Sequence, residues 1–412
     1  MQPLPKPPRR SPAPRIALLL LSIPAAACGS SEEPAPEPTI ALPEGARAGD
    51  EIVAAIEVSY VPGSFADAAA PGLLLEIKLG ENLPRHAIIP GGLLANPRLR
   101  VSLGAWDGGP LRAKTLAGSG NASITAEIDP SAAGVPVMGL YDDRFFNDVP
   151  LGLYVENGTF TYILSNEDAG TGLFPTLLMA QYGRPNDIEG LYEINPEPKI
   201  QAEGHEWLPF DGPYEGTHPR LRIATLNGLV APDTDPPAVY RVSPMPVEFA
   251  TAGSVPRERV LDNEPWMLAA SFDEMKRQNQ FAEDGGPADA HIGAPDDYIF
   301  IDYQFDSDGG AALAFEAQVD STWFSSLGLW TGQGGPADAH ASGVGRTCIE
   351  LPPNRGPGDI TALRAVASGS GSGTLAAARW FRYDPGAVPV EIGALAAPAT
   401  IAAGTDFMLQ AP

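Results

Sequence analysis

The feature that most constrains this chain is the length of its apolar runs, which are strand-sized and closed off by glycine and proline. Glu51–Tyr60 (EIVAAIEVSY), residues 73–79 (LLLEIKL) and residues 298–305 (YIFIDYQF) are each bounded by turn-forming residues, and the last alternates cleanly. Asn157-Gly158 sits between two alternating arms, where a tight hairpin needs positive φ at both central residues. With 45 Gly and 44 Pro in 412 residues, long helices are disfavoured and many short strands are favoured. The expected fold class is all-β, built of tandem antiparallel β-sandwich domains of immunoglobulin-like type. Only two stretches carry helical spacing. One is 265–280, with Asn263 as a cap, Pro265 in the first turn and Leu268, Phe272 and Met275 on one face. The other is the short Phe174–Tyr182.

Internal matches suggest how the domains divide. Pro97-Arg-Leu-Arg-Val101 recurs 122 residues later as Pro219-Arg-Leu-Arg-Ile223, with a degenerate third copy from Arg346. A period near 120 residues suits two packed sheets per repeat. The expected domains are therefore 40–150, 151–262 and 263–412.

The first 39 residues have a different character. Lys6, Arg9, Arg10 and Arg15 precede the apolar run 16–23 (IALLLLSI), and Ala25-Ala26-Ala27 places small residues before Cys28. That run is shorter than the roughly 20 residues a membrane-spanning helix needs, so residues 1–27 read as a cleaved export signal. The segment resembles the bacterial lipoprotein signal class. The resemblance implies that Cys28 becomes the lipidated N-terminus, palmitate among its acyl chains, with the protein held at the outer membrane or cell surface. Gly29 in place of Asp favours that address over retention in the inner membrane. Residues 28–39, acidic and rich in proline, read as an extended tether.

Charge narrows the partners. Cleavage removes four of the 26 basic side chains and none of the 51 acidic ones, leaving a net charge near −29. Such a surface repels nucleic acid. The membrane is expected to be met through the lipid anchor alone. Cys348, in an alternating strand pattern, has no disulfide partner once Cys28 is lipidated and is expected to pack in a core.

Few residues point to chemistry. The heptapeptide GGPADAH occurs at 285–291 and again at 334–340. Asp289 and His291, and Asp338 and His340, are each spaced to share one side of an extended segment, and the two pairs together could ligate a divalent metal such as zinc. The alternative is a turn in which the histidines stay exposed and unengaged. Asp302, Asp306 and Asp308 before Gly309-Gly310 are candidate calcium ligands of a loose strand-end site. Trp323, Trp330 and Trp380 are candidate stacking platforms for a glycan, because adjacent Trp380 and Phe381 on one strand point to opposite faces. His86, His205 and His218 read as surface or loop residues. No resident cofactor is implied. The leading expectation is an exported protein that presents surfaces for adhesion, envelope organisation or partner binding without chemistry of its own. The alternatives are a glycan-binding module and a metal-dependent hydrolase on the two Asp-x-His pairs.

Overall fold

The strand Tyr298–Asp308 shows how these runs become structure. Ile299, Ile301, Tyr303 and Phe305 face one hydrophobic core, while Tyr298 and Phe300 face another, so both sides of its first half are buried. A strand covered on both faces needs a near-continuous apolar sequence, as this one has. The computed structural model describes residues 39–410 except 68, 93–97, 141–148, 167–173, 203–204, 225–227, 235–237, 250–252, 254, 284–290, 328–338 and 385. The expected signal, Cys28 and all of the tether except Thr39 lie outside the described residues. Thr39 itself is already in a strand, paired with Arg112.

The protein is mostly β, in several antiparallel sheets that do not close into a barrel. Near the N-terminus, a sheet ordered Thr39–Ile40, Leu111–Ala117, Gly72–Leu79, Arg85–Pro90 packs on one ordered Arg98–Ala105, Glu51–Tyr60, Asn121–Ile128. Ile52, Ile56, Leu75, Ile77 and Leu103 fill the space between them. Near the C-terminus, Tyr298–Asp308 lies between Gly343–Glu350 and Ser372–Arg382, with Val390–Ala394 and Ala399–Ala402 both paired to Ser372–Arg382. That sheet faces a second, ordered Thr322–Ser325, Ala311–Val319, Ala362–Gly369, Asp406–Gln410.

Between these sandwiches lies a middle layer. A five-stranded meander runs Pro150–Glu156, Thr159–Leu164, Asp187–Glu193, Lys199–Ala202, Glu206–Pro209. Its first hairpin turns at Asn157 and Gly158, both at positive φ, as the sequence predicts. The other middle sheet carries a parallel pairing, His218–Ile223 with Val137–Leu140. The largest core draws on residues from Val53 to Tyr383, and Glu37–Pro412 forms one compact unit.

Polar contacts join the N-terminal sandwich to the middle layer. His218, buried, contacts Val135 O through Nδ1 at 2.9 Å and Glu51 Oε2 through Nε2 at 3.1 Å. His86 Nδ1 accepts from the Arg241 amide at 2.9 Å. Neither is the surface residue expected from sequence, because each satisfies a backbone group that would otherwise be buried unpaired.

Both expected helices form, at Phe174–Tyr182 and Pro265–Arg277. Asn263 does not cap the second, because it ends a preceding short helix, Val260–Asn263, and Glu264 takes the cap position. The C-terminal stop comes at Asn279, whose φ of 57° lies in the left-handed region. There the Asn279 and Gln280 amides donate back to Lys276 O and Met275 O, which satisfies the last turn.

Candidate functional site

An open cleft of about 680 Å³ lies where the middle layer meets the C-terminal sandwich. Five elements build it. Tyr154 and Glu156 end the Pro150–Glu156 strand, and Gln181 and Tyr182 end the Phe174–Tyr182 helix. Arg257 and Glu258 stand on a single helical turn, and Tyr303 comes from the doubly buried strand. The last wall is His340 with the backbone of Gly343–Gly345. Gly345 is required by packing, since a Cβ there would lie 2.5 Å from the Tyr303 hydroxyl.

Electrostatics within the cleft are balanced. Buried Glu258 accepts from Arg184 Nε at 3.4 Å and Arg257 Nε at 3.3 Å, and both guanidinium groups stand over the Tyr182 ring, at 5.0 and 5.8 Å. Burial pushes the Tyr154 phenol up, opposed by its hydrogen bond with Thr161. Tyr303 is raised by burial as well, and its ring packs 4.9 Å from that of His340. The accessible groups are thus a half-open tyrosine ring, one arginine, one glutamate, a glutamine and a strip of main chain.

Behind the cleft lies a buried ion network that sets its walls. Arg346 is 1% exposed. Its Nε donates to Asp302 Oδ1 at 2.6 Å, its Nη2 to Asp302 Oδ2 at 3.2 Å and Asp262 Oδ2 at 3.1 Å, and its Nη1 to the Tyr383 hydroxyl at 2.8 Å. Nη1 also donates to Glu258 O at 3.1 Å, which ties the network to the cleft floor. Arg259 and Arg379 complete the shell on Asp302 at 2.9 and 2.8 Å, and Tyr383 donates to Asp262. Burial alone would raise the Asp302 carboxyl, but Arg346 and Arg379 hold it down at about 2. Asp302 is therefore committed to arginine and is not a calcium ligand, while Asp306 and Asp308 are exposed.

The other sequence-nominated residues fall in separate places. Asp289, Asp338 and Trp330 lie outside the described residues. His291 is half-buried beside the Phe281–Ile292 bridge, and His340 bridges to Leu313 and is 8% exposed. His340 is thus no exposed turn residue. Among the described residues no group of three or more His, Cys, Asp or Glu side chains could hold a metal. Trp323 is half-buried on an outer strand, with the Arg364 guanidinium 4.0 Å from its ring centre. Trp380 is 5% exposed and belongs to the sandwich core, which corrects its reading as a stacking platform. Its neighbour Phe381 is buried too, on the opposite face, in the large core shared with the middle layer and against Phe300 and Tyr383. Cys348 is buried, donates to Met179 O at 3.0 Å and has a thiol raised by burial, so it is inert packing.

His340 makes the cleft wall acid-sensitive. Burial lowers its imidazole from 6.5 to about 4, and among the described residues its Nε2 has no hydrogen-bond partner. The unfolded chain therefore binds a proton that the folded chain refuses between those values, and stability falls as pH drops from 6.5 towards 4. The expected loss from this residue approaches about 3 kcal/mol. Denaturant midpoints at pH 7 and pH 4.5, compared between wild type and His340→Gln, check it: the variant should lose clearly less stability on acidification.

Sequence reasoning did not single out Arg346, Glu258, Tyr154, Tyr182 or Tyr303. One signal was visible, since the charged Asp302 and Arg346 each stand inside otherwise apolar alternating runs and demand a partner. The chain matches no protein-family model, no curated protein and no solved structure.

Proposed function

We propose that this is an exported binding protein of the bacterial cell envelope, anchored by lipid at Cys28, that recognises a partner through the cleft between its middle layer and its C-terminal sandwich. The observation that carries the reading is the cleft itself. Its volume of about 680 Å³ falls within the range typical of ligand sites. Its accessible groups, Tyr182, Gln181, Glu156 and Arg257, are suited to hydrogen bonding and contact. Glu258 and the Arg346 network hold its walls in place before any partner arrives, and preorganisation of this kind lowers the ordering cost of binding. A net charge near −29 for the processed chain keeps the exposed protein soluble and apart from polyanions.

The address has a direct test. Several acyl chains at Cys28, each buried CH₂ adding about 0.8 kcal/mol, hold a protein firmly on a membrane. Wild type should therefore enter the detergent phase and incorporate labelled palmitate, and Cys28→Ser should move to the soluble fraction without label. Identical partitioning of the two would refute the anchor.

A further inference from the structure

The Gly343–Glu350 strand is an outer strand of its sheet and, among the described residues, pairs only with Tyr298–Asp308. Outer strands present unpaired N–H and C=O groups, and folded proteins generally cover them. Here the cover is partial. At Thr347 and Cys348 the edge lies against the Phe174–Tyr182 helix, with Thr347 Oγ1 donating to Ala180 O at 2.5 Å and Cys348 Sγ to Met179 O at 3.0 Å. Beyond Tyr182 that helix has ended, at Gly183 with φ +61°. Gly343, Val344 and Gly345 then form one wall of the cleft. Among the described residues, their backbones make no hydrogen bond outside the ladder with Tyr298–Asp308. Two of the three are glycines, so little side chain screens this stretch of main chain. The facing wall carries Tyr154 and Glu156, from the outer strand of the five-stranded meander.

We propose that the cleft binds an extended polypeptide segment of a partner protein, which joins the sheet as an added strand along Gly343–Gly345. This rests on the binding reading above and names the chemistry of its ligand. A free edge offers donors and acceptors at a two-residue repeat, which another extended main chain matches and a sugar does not. The one half-open ring, Tyr182, already has two guanidinium groups over it, which disfavours it as a sugar platform. An incoming strand places alternate side chains on opposite sides. Tyr182 then offers apolar contact, and Glu156 and Arg257 offer polar ends.

The probe is a phage-displayed heptapeptide library selected on the soluble Cys28→Ser protein, with the enriched peptides resynthesised for binding and hydrogen-exchange measurements. Saturating peptide should slow exchange of those amides within Gly343–Gly345 that point away from Tyr298–Asp308. Main-chain N-methylation at either odd or even positions should weaken binding about tenfold or more in one pattern and much less in the other, since only alternate residues point their N–H to the edge. Protection at a different outer strand instead, whether Pro150–Glu156 across the cleft or Glu206–Pro209, would overturn the proposal, as would equal binding by both methylated forms or no enrichment at all. A peptide bound equally in both forms but lost in Tyr182→Ala would remove strand addition and leave the cleft as the binding site. Failure of the anchor would appear only in the fractionation of wild type against Cys28→Ser.

Discussion

Arg346→Met should destabilise the folded protein by about 3–5 kcal/mol, the cost of leaving a buried carboxylate without its main partner. Arg346 supplies two of the hydrogen bonds to Asp302 and contacts Asp262, Tyr383 and Glu258 O from a position with almost no solvent access. Its guanidinium also stands 4.7 Å from the Phe381 ring centre. Methionine fills much of the volume but answers none of these acceptors. Lysine restores the charge without the planar fork and should recover only part of the loss. Denaturant titration of the soluble protein reads the effect. Asp302→Asn should cost a comparable amount, and the double variant should cost clearly less than the two singles added, since both act on one network. A loss below about 1 kcal/mol for Arg346→Met would show that the network contributes little.

The network also explains acid behaviour at the low end. Because the Asp302 carboxyl is held at about 2, its contribution is intact above its ordinary value of 3.8 and is lost as pH falls from there towards 2. His340 acts in a higher window, between 6.5 and about 4. Of these two groups, His340 should therefore weaken the protein first on acidification and the network behind it only later.

Local signals in the sequence located the two longer helices and some of the strands. The period of the apolar runs identifies strands such as Glu51–Tyr60 and Tyr298–Asp308, and Asn157-Gly158 identifies a hairpin, because each depends on residues close in the chain. Helices at Phe174–Tyr182 and Pro265–Arg277 are legible for the same reason. The cleft is not, since its walls run from Tyr154 to Gly345 and meet only after the sandwich docks on the middle layer. Burial shows the same limit. Alternation correctly separates Trp380 from Phe381 onto opposite faces, yet it cannot tell that a second layer covers the outer one. His340 is another instance: a glycine-rich turn ahead of it suggests exposure, and the bridge to Leu313 buries it.

Trp380→Ala should cost about 3–5 kcal/mol, as truncation of a large core aromatic does. Trp380 lies among Ile301, Leu375, Leu363 and Ile401 in the C-terminal sandwich, and its indole packs over Gly393, where a Cβ would come within 2.5 Å of the ring. The site has formed around an indole, so alanine leaves a cavity that the two sheets cannot close without shifting. Phenylalanine should retain much of the stability. It keeps an aromatic body, and the indole Nε1 that it deletes has no hydrogen-bond partner among the described residues, so no bond is lost. A binding platform would behave differently: truncating an exposed ring changes stability by only about 0.5 kcal/mol while abolishing ligand contact. Melting of the alanine and phenylalanine variants beside wild type separates the two roles. A Trp380→Ala protein as stable as wild type would return this residue to the surface and reopen the glycan reading.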